Sequence, residues 1–298
     1  MRAVVVLGGA IALASACSLL VNFDPEGQSC GAGGGCLAGY VCVDGLCKNA
    51  SRIPDAGYAF FEVLLSGSQV DPPTSDPSSG SGRFEYDYGA KTLRWSIDHD
   101  AGQEAFVAAI YVGHPGWTAS DPQLWNGLGS AQTPITGSIS VTDAGPLLEE
   151  LTRGHLYVAL KNQWGWEIIR GYVVAPGGRI YAAPIYSYDP TTFSWSLVAR
   201  AGLVAYPDAG TLYYDVTTEG RTDFDSAHIH DRSANTTLVD TPWMTSPGNL
   251  TRSSGRVALP DRVLPLLDTP YATYYDLHST GPTSSGTAEG DIERVMPP

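Results

Sequence analysis

Positive charge is what this chain has least of: 17 Lys and Arg stand against 31 Asp and Glu in 298 residues, a formal net charge of -14. A surface that tracks a phosphate backbone needs clustered cations, so nucleic acid is excluded as the expected partner. Runs of Glu, Lys, Leu and Ala at helical spacing are scarce, which argues against a helical fold. No GxSxG nucleophile elbow, HExxH helix or phosphate-cradling GxxxxGK[ST] occurs, and the serines of SSGSG and TSSG belong to loops. The acidic pairs Glu149/Glu150 and Asp223/Asp225 read as solvated acidic surface in so negative a chain, and no catalytic residue is assigned.

What is abundant points to strands. The chain carries 16 Tyr, 7 Trp, 34 Gly and 21 Pro, with many Val and Thr, and period-two alternation dominates beyond Cys47. In LRWSID, Leu93, Trp95 and Ile97 alternate with polar residues; HLYVAL repeats the pattern with Leu156, Val158 and Leu160, and FSWSL with Phe193, Trp195 and Leu197. Each predicts a strand with one buried and one wetter face, and such strands separated by turn residues predict antiparallel β-sandwiches. GPLLEELTRG alone reads as a helical turn.

The first seventeen residues, MRAVVVLGGAIALASAC, carry one cation at Arg2, an apolar stretch from Ala3 to Leu13, then small residues up to Cys17. This is the pattern of a secretory signal, too short to cross a bilayer comfortably. Ser15 and Ala16 before Cys17 resemble a bacterial lipobox, which implies cleavage, acylation of Cys17 and a protein held on a membrane by its N-terminal lipid, at the outer membrane or cell surface or in the periplasm. Ordinary secretion is the alternative. Of five cysteines, setting Cys17 aside leaves Cys30, Cys36, Cys42 and Cys47 within a Gly-rich module at 18–50. Four pair completely, so two disulfides are expected there, with three connectivities open. A zinc knuckle fits less well, because the spacings lack tight CxxC pairs.

The stretch FFEVLLSGSQVDPPTSDPSSGSGRFEYDY, from Phe60, resembles the opening of a CHRD (chordin-type) domain, so its Pro-rich part reads as a loop inside a domain and not as a linker. AAIYVGHPG is similar to that family's Ala-His-Ile-His-x-Gly segment, LYVALK to its Tyr-Val-x-Val-His strand and WEIIRGYV to its closing Gly-Glu-Ile-Arg-Gly strand. SLVARAG, SAHIHD, TYYDLHS and GDIERV repeat the succession. Two modules follow from this, 58–174 and 175–298. Tyr111 and Lys161 are 50 residues apart and the corresponding His230 and His278 are 48, the near-equal spacing a duplication leaves. The connection APGGRIYAAPIYSYD is too apolar for a loose tether, so the modules are expected to pack together.

His228 and His230, two apart in a strand, share a face, with Ala227 and Ile229 on the other. His278 shares a predicted strand face with Tyr274 and Asp276. If those strands are neighbours, three imidazoles meet, a donor set suited to copper or zinc. The resemblance adds weight, because the CHRD module is similar to copper/zinc superoxide dismutase, whose His-x-His strand and later Val-His strand hold copper. No histidine lies between His230 and His278 to serve as a further ligand, and redox turnover is not expected. In the first module Ala109, Tyr111 and Lys161 stand where His228, His230 and His278 do. The alternative for the cluster is hydrogen bonding to Asp225, Asp231 or Asp276 without an ion. His99, His114 and His155 each read as solitary and solvated. The role expected of the whole is a non-catalytic envelope binding or structural module, with copper or zinc binding as the alternative. A further alternative is binding of envelope polysaccharide or a protein partner through Trp117, Trp125, Trp164, Trp166 and Trp243, although capping of the core ends is the favoured place for these rings.

Overall fold

The computed structural model describes residues 28–30, 40–43, 46–49, 57–70, 73–101, 105, 107–113, 115, 123–128, 132–141, 144–189, 191–219, 224–242, 252–279 and 288–295. The signal segment with Cys17, and Cys36, His114, Trp117 and Trp243, lie outside the described residues. Two compact units are present, Met1–Pro54 and Asp55–Pro298. In the smaller, β1 (Tyr40–Val43) and β2 (Leu46–Asn49) form a hairpin that sets Cys42 opposite Cys47. Cys47 is buried, and its N–H donates to the Gln28 carbonyl.

The larger unit holds two antiparallel sheets. The first is built from β3 (Tyr58–Ser66), β4 (Ser79–Asp87), β5 (Thr92–His99), β6 (Val107–Val112), β7 (Gln123–Leu128), β8 (Ile135–Ser140), β9 (Leu156–Lys161) and β10 (Glu167–Val174), in the order β7-β6-β9-β10-β3-β4-β5-β8. The second comprises β11 (Arg179–Asp189), β12 (Ser194–Tyr206), β13 (Thr211–Thr218), β14 (Ser226–Asp231), β15 (Thr236–Thr241), β16 (Arg252–Ala258), β17 (Thr273–His278) and β18 (Ala288–Asp291), in the order β15-β14-β17-β18-β11-β12-β13-β16. A short β19 (Glu293–Arg294) pairs with β11 off this path. Replacing each strand of the first order by the strand eight places later gives the second order. Even the helices correspond: α1 (Ala144–Thr152) precedes β9 and α2 (Leu264–Leu267) precedes β17.

The fold is all-β, one sheet a half-barrel and the other a nearly closed barrel. Each module is thus one continuous curved sheet where a sandwich has two. Alternation fills each interior: Leu93, Trp95, Ile97, Leu156, Val158 and Leu160 lie in the first core, and Ala227, Ile229, Tyr275 and Leu277 in the second. Two glycines at matched positions let neighbouring strands close up. A Cβ at Gly171 of β10 would lie 2.3 Å from the Leu64 carbonyl oxygen of β3, and one at Gly290 of β18 would lie 2.0 Å from the Pro184 oxygen of β11.

A third apolar cluster joins the sheets through their outer faces, with Ala109, Tyr111, Tyr157, Tyr172 and Val174 from the first and Ile180, Val204 and Tyr213 from the second. This explains a departure from the expected pattern. HLYVAL is buried on both faces, because Tyr157 and Ala159 meet the other sheet while Leu156, Val158 and Leu160 meet their own core. FSWSL departs the other way. Phe193 is 80% and Trp195 62% exposed, because the β11–β12 hairpin runs out past the rolled core, and Phe193 itself sits at φ 53 in the turn. GPLLEELTRG does form a helix, and the end of DPPTSDPSSGSG enters β4.

Candidate functional site

The site begins with the pairing of β14 to β17. Its register sets His228 opposite Asp276, His230 opposite Tyr274 and Ser226 opposite His278. Opposed residues of an antiparallel pair point to the same face, so the period-two pattern of SAHIHD and YYDLH puts three imidazoles and a carboxylate on the outside of the second sheet. Ala227, Ile229, Tyr275 and Leu277 anchor the same strands in the core.

His228, His230, Asp276 and His278 each offer a ligand atom, all four within 4.8 Å of one another. Asp276 is the centre. Its Oδ2 lies 2.9 Å from His278 Nε2 and 3.2 Å from His230 Nε2, and its Oδ1 lies 3.6 Å from His228 Nδ1. Donors at about 2.0–2.1 Å from a tetrahedral zinc stand about 3.3 Å apart; the three carboxylate–imidazole distances bracket that value, and the four donors together lie within 4.8 Å. The carboxylate is almost wholly covered, at 4% exposure. His228 Nδ1, both nitrogens of His230 and Asp276 Oδ1 are buried without a hydrogen-bond partner. Each orphaned group of this kind costs on the order of 1–3 kcal/mol, and a cation taking one donor atom from each residue would remove the cost for all of them but one nitrogen of His230.

Surrounding contacts hold the rings. Tyr274 stacks on His230 at a centroid distance of 5.1 Å and interplanar angle of 17°, and the Arg232 guanidinium covers the Tyr274 ring at 4.7 Å. On the far side of His228, Asp240 approaches its Nε2 to 3.5 Å, the kind of outer carboxylate that orients a ligating imidazole. Asp231 is engaged away from the cluster, accepting from the Ser233 N–H at the following turn.

The first sheet treats the same positions differently. Its β6–β9 register sets Ala109 opposite Ala159, Tyr111 opposite Tyr157 and Val107 opposite Lys161, so Ala109, Tyr111 and Lys161 occupy the places of His228, His230 and His278, with Ala159 in that of Asp276. The Lys161 ammonium lies 4.7 Å above the Tyr111 ring and 3.7 Å from Glu167. Arg170, fully buried, packs over Tyr157 and pairs with Glu167 at 2.6 Å. The first module supplies this face with its own cations, whereas the second presents electron-pair donors.

One cluster escaped the sequence reading. His155 is not solvated: it is 2% exposed, its Nδ1 lies 2.6 Å from a Glu150 oxygen, and its Nε2 lies 3.7 Å from Asp215. Asp215 takes a bidentate grip from Arg252. Burial pushes the Asp215 carboxyl above its ordinary range despite that partner, and the hydrogen bond from His155 holds Glu150 below its own. Nothing local marks this in the sequence, since Glu150 and His155 belong to the first sheet's module and Asp215 and Arg252 to the second. Of the tryptophans, Trp125 packs edge-on against Trp95, while Trp164 and Trp166 are each 73% exposed at the β9–β10 turn and cap no core.

No helix of the described residues is long and apolar enough to cross a membrane. No known family model, curated protein or solved structure matches this chain.

Proposed function

We propose that this is an exported, lipid-anchored envelope protein of two CHRD-type modules, acting as a non-catalytic binding module whose second module takes up zinc or copper(II) through His228, His230, His278 and Asp276. The observation that carries the metal reading is the buried Asp276 carboxylate standing among three imidazoles, two of which, His228 and His230, have buried ring nitrogens without a hydrogen-bond partner. A set of imidazoles with one carboxylate suits zinc or copper(II) over magnesium or calcium, which favour oxygen.

The anchor rests on the signal-like segment and lipobox ending at Cys17. Export fits the even set Cys30, Cys36, Cys42 and Cys47, which would pair as two disulfides in an oxidising compartment. The CHRD reading rests on the quoted motifs, and the repeated strand order supports the duplication it implies, with AAIYV and SAHIHD in the corresponding β6 and β14 and LYVALK and TYYDLH in the corresponding β9 and β17.

Purified protein loaded with one equivalent of zinc or copper and then desalted is the test. One retained ion per chain, lost in His228→Ala and in Asp276→Asn but kept in Lys161→Ala, is the expected result. Wild-type protein that retains no more metal than His228→Ala overturns the metal reading.

A further inference from the structure

The outer face that carries the histidines continues across the sheet. Glu289 of β18 stands opposite Asp276, and on its other side opposite Tyr186 of β11; Tyr188 in turn faces Trp195 of β12. Here the surface sinks into a groove of about 420 Å³, floored by Tyr186 and Trp195 and bordered by Arg232, Glu289, Asp291 and Glu293. Tyr186, Tyr188 and Trp195 are 40%, 43% and 62% exposed. That much apolar ring surface, left uncovered side by side, marks a binding surface.

From this groove we infer a second binding site, for an oligosaccharide that carries no acidic groups. Sugar rings present flat C–H faces that lie on aromatic rings and rims of hydroxyls that bond to carboxylates and guanidinium. Both halves are present. Tyr188 and Trp195, 5.2 Å apart at 47°, make one platform, and Tyr186, two residues along the strand, makes another about 7 Å away. Arg232 is held by Asp291 at 2.5 Å and lies 3.9 Å from Glu289, so its direction is fixed before any ligand arrives. Glu289, Asp291 and Glu293 outnumber the single Arg232, and this excess of negative charge turns away uronates. A peptide is the poorer occupant: β11, β12 and β18 are interior strands of the sheet, so no free edge is offered for backbone pairing.

The groove shares Arg232 with the surroundings of the histidine cluster, but its aromatic floor holds none of the metal ligands, so sugar binding and metal content are separate readouts. Titration of the full chain with cellohexaose, chitohexaose and oligogalacturonate, followed by calorimetry and tryptophan fluorescence, tests it. Expected are saturable binding of at least one of the first two, none of the third, at least tenfold weakening in Trp195→Ala, and no change in Trp164→Ala or in metal content. Glu289→Gln, which leaves the platform intact, weakens binding several-fold. Absence of binding to both neutral and amino sugars overturns the proposal, as does preference for the acidic chain or an equal loss in Trp164→Ala.

Discussion

Lys161 and His278 stand at one and the same place in two copies of a strand pairing, Lys161 across from Val107 and His278 across from Ser226. In the first module the ammonium at this place answers Glu167; in the second the imidazole turns toward Asp276. One carboxylate already has its counter-charge and the other waits for one.

That contrast predicts how metal acts on stability. Zinc or copper at 100 times its dissociation constant raises the stability of the folded wild type by about 2.7 kcal/mol, read as a rise in thermal midpoint. His230→Ala removes the rise. A midpoint that climbs equally in His230→Ala places the metal elsewhere.

Glu150 predicts an acid-sensitive contact within the first module, beside the second module's Asp215 and Arg252. Its folded value lies below the ordinary carboxylate range because the His155 ring donates to it. A lowered value means the stabilisation is present above the unfolded value, near 4.3, and disappears as pH falls through the lower folded value. Wild type therefore loses stability on acidification below about pH 4.5 more steeply than Glu150→Gln, in denaturant midpoints measured from pH 6 to 3. Parallel curves for the two proteins refute this.

Gly171 and Gly290 admit no side chain, since a Cβ on either meets a backbone oxygen of the next strand. Gly290→Ala is expected to cost about 1–3 kcal/mol, and Gly171→Ala a similar amount, in equilibrium denaturation. Substitution at Gly177, where a Cβ meets nothing within 4 Å but φ is 78°, is a control that separates crowding from backbone strain.

Ile180 is fully buried between the outer faces of the two sheets. Ile180→Ala is expected to destabilise by about 2–5 kcal/mol and to make the chain between β10 and β11 more open to protease. Unchanged cleavage alongside unchanged stability would show that the contact contributes little.

Much of this was legible in the sequence, because a strand's period of two is rigid: SAHIHD and YYDLHS fix which residues share a face wherever the strands are placed. The duplication was legible for a related reason, its matched spacings surviving in the matched registers. Asp276 was visible as a neighbour but not as the centre, since only the register sets it against His228. His155 and Tyr157 were misread because their burial comes from the other module, and no local pattern reports a distant surface. Phe193 and Trp195 keep a core-like alternation on a hairpin that outruns its core.

Three of the four positions in the first module that match the histidine cluster, Ala109, Tyr111 and Ala159, are among those that dock against Ile180, Val204 and Tyr213 of the second. A duplicated unit that seats one flank on its sibling carries, in the sibling, that same flank unoccupied. Left greasy, it would recruit another chain, and then another, into an open-ended filament. Imidazoles and a carboxylate there instead take away the apolar face that such a series needs.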